Sequence, residues 1–248
     1  MNLLIILYNK TAHSDYKHSK SRFIEMFGDL KLNSLNWNET TLKDSCTFYS
    51  GTGFPTKYQG KTDLKYPLYK VGDISRNYQN GYKYLHLCEN TIDDFICKNI
   101  KGQIIPPNTV VFAKIGEALK LNRRAITIKE SLVDNNAMGI YPNPNILSIE
   151  YFYQFMCDID MQEYSSSTTV PSVKKSVLEE IRIPIAPIEL QNEFSSFVEQ
   201  IDKLKFVCHS KYFLWLILTF ASSTIAELIP KTCTLIQYKC MQEGSHER

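Results

Sequence analysis

The chain has 248 residues, of which 44% are hydrophobic and 22% charged, and this composition excludes an intrinsically disordered chain. The length suits one domain with additional structure, or two small domains. The formal net charge is only +2, so any contact with nucleic acid must depend on local groups of cations. The seven cysteines are an odd number without a CxxC pair, which favours free thiols and predicts a cytoplasmic protein.

The first predicted element is a helix at residues 16–28. Phe23 and Phe27 stand at helical spacing, and Gly28 supplies a natural C-cap. The apolar run that follows Asn2 is too short for the core of a secretion signal and has no cationic segment in front of it. The chain is therefore predicted to begin with a helical segment and not with a signal peptide.

The region from Trp37 to Pro187 is rich in short strand-like runs separated by glycine, proline and asparagine. The predicted strands lie within residues 66–74, 103–116 and 124–130. Residues 146–159 differ, because this run is long, apolar on more than one side and free of Gly and Pro, which predicts a mostly buried helix. The predicted fold class is α+β, with a mixed α/β domain.

The end of this region predicts a helical turn, an edge strand and a second helix. Ser176 and Glu179 fit a capping box. Residues 181–185 alternate isoleucine with Arg182 and Pro184, and because proline cannot donate a ladder hydrogen bond, the strand should lie at a sheet edge. The next helix has an apolar stripe, for which the helix at 16–28 is the predicted partner surface. The stripe consists of Phe194, Phe197, Val198, Ile201 and Leu204.

Two stretches carry an excess of cations. Residues 56–83 and residues 101–130 each contain six Lys or Arg against two acids, a net +4 in each case. Reading DNA requires cations that contact phosphates, and amides or guanidinium groups that reach base edges. Solvated turns are the alternative interpretation for any single loop in these stretches.

Five segments, in order, resemble the specificity subunit of type I restriction–modification systems. They are SRFIEMFGD at 21–29, LKDSCTFYSGTGFP at 42–55, YPLYKVGDIS at 66–75, VVFAKIGEALKLNRRA at 110–125 and PSVKKSVLEEIRIPIAPIELQNEFSSFVEQIDKL at 171–204. Together they extend over roughly residues 16–206, and their order and spacing carry the resemblance. The exit IPIAP…LQNEF is the strongest of these matches.

The resemblance implies a non-catalytic protein that reads one half of a split target in double-stranded DNA. It implies an N-terminal helical segment (1–32), a target-recognition domain (33–190), an amphipathic spacer helix (191–206) and an atypical tail (207–248). The flanking helices would form a coiled-coil-like spacer and dimer element that docks methyltransferase (M) and restriction (R) subunits. S-adenosylmethionine is expected on the partner methyltransferase, and no cofactor is expected in this chain.

The family's full-length subunit carries two recognition domains, whereas this chain resembles a half-length form with one. Two copies related by a two-fold axis would then read a symmetric split site. The residues predicted for partner or dimer contacts are Phe23, Phe27, Phe194, Phe197, Val198, Ile201 and Leu204. A truncated or rearranged fragment without productive assembly is the alternative, because the family's pattern does not continue beyond Phe206.

The candidate DNA-binding side chains lie on polar loops near residues 57–61, 75–83, 120–125 and 165–175. They are Lys57, Gln59, Arg76, Asn77, Gln79, Asn80, Lys120, Asn122, Arg123, Arg124, Lys174 and Lys175. Arginine suits guanine and asparagine suits adenine by bidentate geometry, and lysine suits phosphate.

No catalytic residue or metal site is predicted. The histidines lack i,i+4 pairing and the cysteines lack zinc-binding spacing. The chain lacks a glycine-rich cofactor loop and the Asn/Asp-Pro-Pro-aromatic element that holds a flipped adenine, so a stand-alone DNA-modifying enzyme is the less favoured alternative. The apolar run at 212–221 is shorter than the roughly 20 residues of a membrane span, so no membrane partner is predicted.

Overall fold

Nine strands build three sheets within residues 19–166 and 170–203, which are the residues described by the computed structural model. The strands are β1 (Asn38–Thr41), β2 (Cys46–Ser50), β3 (Tyr66–Tyr69), β4 (Thr91–Ile92), β5 (Val110–Ala113), β6 (Arg124–Ile126), β7 (Leu132–Val133), β8 (Ala137–Pro142) and β9 (Arg182–Ile185). Several strands are fully buried, such as VVFA in β5, so these sheets contribute to the core of the domain.

Helices connect and flank these strands. They are α1 (residues 19–27), α2 (Leu42–Ser45), α3 (Val71–Gln79), α4 (Asp94–Asn99), α5 (Glu117–Lys120), α6 (Ile149–Asp158), α7 (Lys175–Glu179) and α8 (residues 188–203), with 3₁₀ turns at Thr56–Tyr58 and Met161–Tyr164. The chain divides into a unit that ends at Val198 and a unit that begins at Glu199. The described part of the second unit is the helical segment 199–203, in which Lys203 Nζ lies 2.8 Å from Glu199 Oε1.

The central sheet has the strand order β2–β8–β5–β6, and all neighbours are antiparallel. Its register pairs Ser50 with Met138 and Ala113 with Ala137. In consequence β2 and β5 finish at the same end of the sheet at which β6 and β8 begin. The strand order therefore places the loops that follow β2 and β5 close to the loops that precede β6 and β8.

Two smaller sheets complete the domain. In the first, β3 pairs antiparallel with β4 and parallel with β7, and Tyr66, Leu68 and Ile92 pack in a separate apolar cluster. In the second, β1 pairs only with β9. Pro184 of β9 therefore lies in an edge strand, as the alternation of residues 181–185 predicted.

Helices α1 and α8 pack against α6 through a cluster of four aromatic rings. The ring of Phe23 lies 4.8 Å from Phe27, 5.4 Å from Tyr151 and 5.2 Å from Phe194, measured between centroids. The hydroxyl of Tyr151 donates to the carbonyl oxygen of Pro184 at 2.9 Å, which joins α6 to β9. The predicted pairing of the apolar stripe with the helix at 16–28 is confirmed for Phe194, whose ring contacts Phe23 and Phe27.

Other sequence predictions have mixed outcomes. The buried helix predicted at 146–159 is confirmed as α6, in which six consecutive residues are buried. The prediction of a strand is wrong for residues 71–74, because α3 begins there. The buried carboxylate of Asp73 accepts the backbone N–H of Lys70 at 2.9 Å and caps this helix. The capping box predicted at Ser176 is also wrong, since α7 has its N-cap at Lys174 without a side-chain hydrogen bond. The predicted domain boundaries stay predictions, and the tail at 207–248 lies outside the described residues.

Candidate nucleic-acid interface

Described parts of the four polar loops predicted from the sequence lie at one end of the central sheet. The connection between β5 and β6 is anchored there by Lys114, whose N–H donates to Asn136 O at 2.8 Å. The segment 170–174 runs beside it, since Gly116 N donates to Pro171 O at 2.8 Å. We call this region the polar end. It consists of residues 51–61, 70–80, 114–123, 134–136 and 170–174.

Lys70 links the loop at 57–61 to the polar end. It follows β3 directly, and its ammonium donates to Gln59 Oε1 at 2.5 Å and lies 5.7 Å from the ring centroid of Phe54. Neighbouring Asp134 is largely buried, and desolvation raises the pKa of its carboxyl. Lys57 lies on the adjacent 3₁₀ turn, is exposed and has no carboxylate partner among the described residues.

The predicted DNA-binding residues on and after α3 have different environments in the structure. Asn77 is fully buried: its Oδ1 accepts the N–H groups of His86 and Leu87 at 2.9 Å each. Its assignment to DNA contact is therefore wrong, because its amide holds the returning chain in place. Arg76 forms ion pairs with Asp73 and Glu89. Beyond these residues, Gln79 and Asn80 end the helix as exposed side chains.

Arg124 is buried, with only 1% of its surface exposed. Its guanidinium donates to the carbonyl oxygens of Met156 and Ile159 at 3.2 Å each and to Asn122 Oδ1 at 3.1 Å. It therefore satisfies carbonyl groups at the C-terminus of α6, a position that favours a cation. Desolvation lowers the pKa of this guanidinium. The prediction that Arg124 binds DNA is wrong for this structure, because the side chain belongs to the core.

Asn122 fixes the loop beside Arg124. Its backbone has a positive φ of 49°, in the left-handed region that asparagine tolerates better than most residues. Its Nδ2 donates to Asp160 Oδ1 at 2.7 Å, and its Oδ1 accepts the N–H of Met161 at 3.0 Å. The hydrogen bond from Asn122 is the main cause that lowers the pKa of Asp160. Asn122 thus has a structural role, and its amide is occupied within the chain.

Arg123 lies between these two fixed residues and is partly exposed. The carbon of its guanidinium lies 5.8 Å from the ring centroid of Tyr78, at the end of α3. This contact brings the predicted loops 75–83 and 120–125 together. Tyr78 is itself 49% exposed, so this ring and the guanidinium beside it are accessible from solvent.

The lysines of the polar end fall into two groups. Lys120 lies 2.8 Å from Glu117 Oε1 and Lys175 lies 3.5 Å from Glu179 Oε1, so both have a carboxylate within their own helix. Lys114 and Lys174 have no carboxylate partner within residues 19–166 and 170–203. Unpaired lysines are the better phosphate ligands, since no internal ion pair must be broken.

The stripe predicted for partner or dimer contacts is largely inside the domain. Phe23, Phe27 and Phe194 are at most 1% exposed and Val198 is 7% exposed. These four assignments are wrong as intermolecular contacts, because the two helices cover each other within one chain. Phe197 and Ile201 are partly exposed, and Leu204 lies outside the described residues.

Neither a metal centre nor a membrane-spanning helix is found among the described residues. Among them, no group of three or more His, Cys, Asp or Glu side chains is arranged to hold a metal ion. In the same part of the chain, no helix combines the length and the apolar character that crossing a bilayer requires.

Two lysines of the polar end, Lys70 and Lys114, have no counterpart among the side chains predicted from the sequence. The signal was available in the sequence. Each lysine is the first polar residue after a buried strand, YPLY in β3 or VVFA in β5. A residue in that position lies at the end of a sheet, where strand-to-loop transitions place binding groups.

The α+β fold and the cations gathered at its polar end define a candidate nucleic-acid-recognition domain, and comparison with known proteins gives its family. Residues 34–211 match the family model described as the type I restriction modification DNA specificity domain. The match extends over more than two thirds of the chain. This chain belongs to that family of specificity subunits.

Solved structures of low sequence identity are similar to this chain. One, from work on complex assembly and conformational transition of a type I restriction–modification system, has 12% identity and a TM-score of 0.50, with 82% of this chain and 50% of that chain covered. The HsdS subunit from Thermoanaerobacter tengcongensis has 12% identity, TM-score 0.47 and coverage of 82% and 47%. The S subunit from M. genitalium has 14% identity, TM-score 0.45 and coverage of 68% and 39%. The first of these likenesses supports the α+β fold, and this chain spans about half the length of the proteins it matches.

Proposed function

We propose that this chain reads one half-site of double-stranded DNA with its polar end and recruits methyltransferase and restriction subunits to it, without catalysing a reaction. One observation carries the proposal: four loops that are distant in the sequence converge at one end of the central sheet. The cations of the polar end without a carboxylate partner among the described residues include Lys57, Lys61, Lys114, Arg123 and Lys174.

The size of α3 is compatible with a duplex. An α-helix with its side chains is about 10–12 Å in diameter and the major groove is about 12 Å wide, so a nine-residue helix such as α3 would fit into it. The exposed amide of Gln79 at its C-terminus provides the donors and the acceptor that base edges require. Asn80 Nδ2 donates to Arg76 O at 2.8 Å, which leaves its second N–H and its Oδ1 for a base. The lysines on the adjoining loops would contact phosphates on either side of the groove.

The modifying chemistry is assigned to partner subunits. We propose that S-adenosylmethionine binds the methyltransferase subunit and that this chain supplies the target sequence. Pairing of two copies through the flanking helices stays part of the proposal. It must use the residues that the intramolecular contact leaves partly exposed, Phe197 and Ile201, because the rest of the stripe is covered.

The test mixes the full chain with the methyltransferase subunit of the same system and measures S-adenosylmethionine-dependent adenine methylation of a DNA library. Methylation confined to one motif supports the proposal, and a symmetric split motif additionally supports pairing of two copies. Methylation by the chain alone would contradict the non-catalytic role. No complex and no methylation would contradict the proposed assembly and favour a recognition domain that does not assemble with the methyltransferase.

A further inference from the structure

Arg123 differs from every other arginine that the structure describes. Of the five in residues 19–166 and 170–203, three form ion pairs with carboxylates: Arg22, Arg76 and Arg182. Arg124 is buried. Arg123 alone among these five combines partial exposure with the absence of a carboxylate partner, and its only described contact through the guanidinium is the ring of Tyr78.

The backbone on both sides of Arg123 is fixed. Asn122 is held by side-chain hydrogen bonds to Asp160 and Met161, and Arg124 is held by the carbonyl groups at the end of α6. A guanidinium that emerges from an anchored backbone and rests against an aromatic ring loses little conformational entropy on binding. This arrangement suits a contact that demands defined geometry.

The surroundings favour a base edge over a phosphate. Leu121, two residues before Arg123, is 53% exposed, and Tyr78 is 49% exposed, so apolar surface accompanies the cation. Base edges in the major groove combine acceptors with apolar groups, whereas phosphates are surrounded by water and counterions. A guanidinium presents two parallel donors that match the O6 and N7 acceptors of guanine.

We propose that Arg123, positioned by the ring of Tyr78, reads a guanine in the DNA half-site and determines specificity at that position. The inference rests on the proposed function and deepens it by naming the base and the residue that reads it. Tyr78 acts as a positioning residue, because its ring holds the guanidinium and needs no contact of its own with DNA.

The experiment is a selection from duplex DNA with a randomised stretch, bound by the full chain together with its methyltransferase subunit and then sequenced. The chains compared are the wild type, Arg123→Ala, Tyr78→Ala, Tyr78→Phe and the control Arg182→Ala. In the wild type, one position should be enriched in guanine. Arg123→Ala should lower that enrichment by about 5- to 150-fold and leave the other positions of the motif intact.

The tyrosine variants separate positioning from general destabilisation. Tyr78→Ala should weaken enrichment at the same position as Arg123→Ala, and Tyr78→Phe should retain it, because the ring and not the hydroxyl contacts the guanidinium. Arg182 lies on β9 and pairs with Glu39, so Arg182→Ala should keep the wild-type motif. Urea midpoints of all five chains show whether any loss of selectivity reflects unfolding.

Each opposing outcome has a distinct meaning. If Arg123→Ala weakens binding equally for all sequences, Arg123 contacts a phosphate and the inference is wrong. If it removes selectivity at a position that is not guanine, the base assignment is wrong. If the wild type enriches no sequence at all, the proposed function itself fails, and this result is independent of the variants.

Discussion

Replacing Phe194 by alanine tests whether the apolar stripe of α8 closes the domain or serves an intermolecular contact. The ring of Phe194 is 1% exposed and lies 5.2 Å from Phe23 and 5.7 Å from Phe27, between centroids. Truncating a buried phenylalanine costs about 3 to 5 kcal/mol, through lost burial and the cavity left behind. Each lost aromatic pair contributes about 0.5–1.5 kcal/mol beyond burial, so the upper half of that range is expected.

The assay is urea unfolding followed by far-UV circular dichroism at several protein concentrations. With a slope of roughly 3 kcal/mol per molar urea, the midpoint of Phe194→Ala should fall by about 1 to 2 M. The matched control is Phe95→Ala on α4, whose ring is 71% exposed. Its free energy of unfolding should stay within about 0.5 kcal/mol of the wild type.

The reasoning is refuted if Phe194→Ala keeps the wild-type midpoint and instead converts a dimer into a monomer in solution. A midpoint that depends on protein concentration in the wild type, and not in the variant, would refute it equally. A fall in the midpoint at every concentration shows that the stripe stabilises the single chain.

Three further predictions concern the polar end and the core. Lys174→Ala should weaken DNA binding equally across sequences and lower the slope of log affinity against log salt concentration by about 1. The control is Lys43→Ala, which changes an exposed lysine at the opposite end of the central sheet and should alter neither the affinity nor the slope. Titrations at several salt concentrations measure both quantities. Tyr151→Phe removes a buried hydrogen bond to a carbonyl of β9 and should lower the free energy of unfolding by about 1 to 2 kcal/mol in urea titrations at pH 7. Asp160 has a folded-state pKa below its ordinary 3.8, so its contribution to stability is present above pH 3.8 and is lost as pH falls through the folded pKa. The urea midpoint of Asp160→Asn should therefore lie below that of the wild type at pH 7 and approach it at pH 3; a gap that stays constant would contradict the role of the Asn122 bond.

Long, strongly patterned segments could be predicted from the sequence. Helix α6 was predicted because ten apolar-rich residues without glycine or proline leave few other structures. Helix α3 was missed because Gly72 and the Asn- and Gln-rich sequence at its end are typical of turns, although Val71, Ile74 and Tyr78 stand at helical spacing. Its start depends on the cap that Asp73 forms and its path on Asn77, whose bonds to residues 86 and 87 are tertiary contacts. Such tertiary contacts cannot be predicted from the local sequence pattern.

The candidate site was predictable as a set of loops and less so as a set of residues. Arg123 and Arg124 are adjacent, and where a strand begins, successive side chains point to opposite faces. The strand geometry therefore predicts that at most one of them faces solvent, but composition alone cannot say which. The carbonyl groups at the end of α6 attract Arg124 into the core, and these groups come from residues 32 and 35 positions further along the chain.

The fold places the proposed DNA-reading residues away from the contacts that join α6 and α8. The start of α8 is hydrogen-bonded to the start of α6, where Gln191 Oε1 accepts the N–H of Ser148 at 2.9 Å. Helix α6 follows the end of β8 that lies opposite the polar end. Substitutions at exposed positions such as Gln79 or Arg123 should therefore add to changes in the helices without coupling, because distant sites that share no partners are additive. Asn122 is the exception. It accepts a hydrogen bond from Arg124 and directly precedes Arg123 in the same loop, so its substitution should change stability and target preference together.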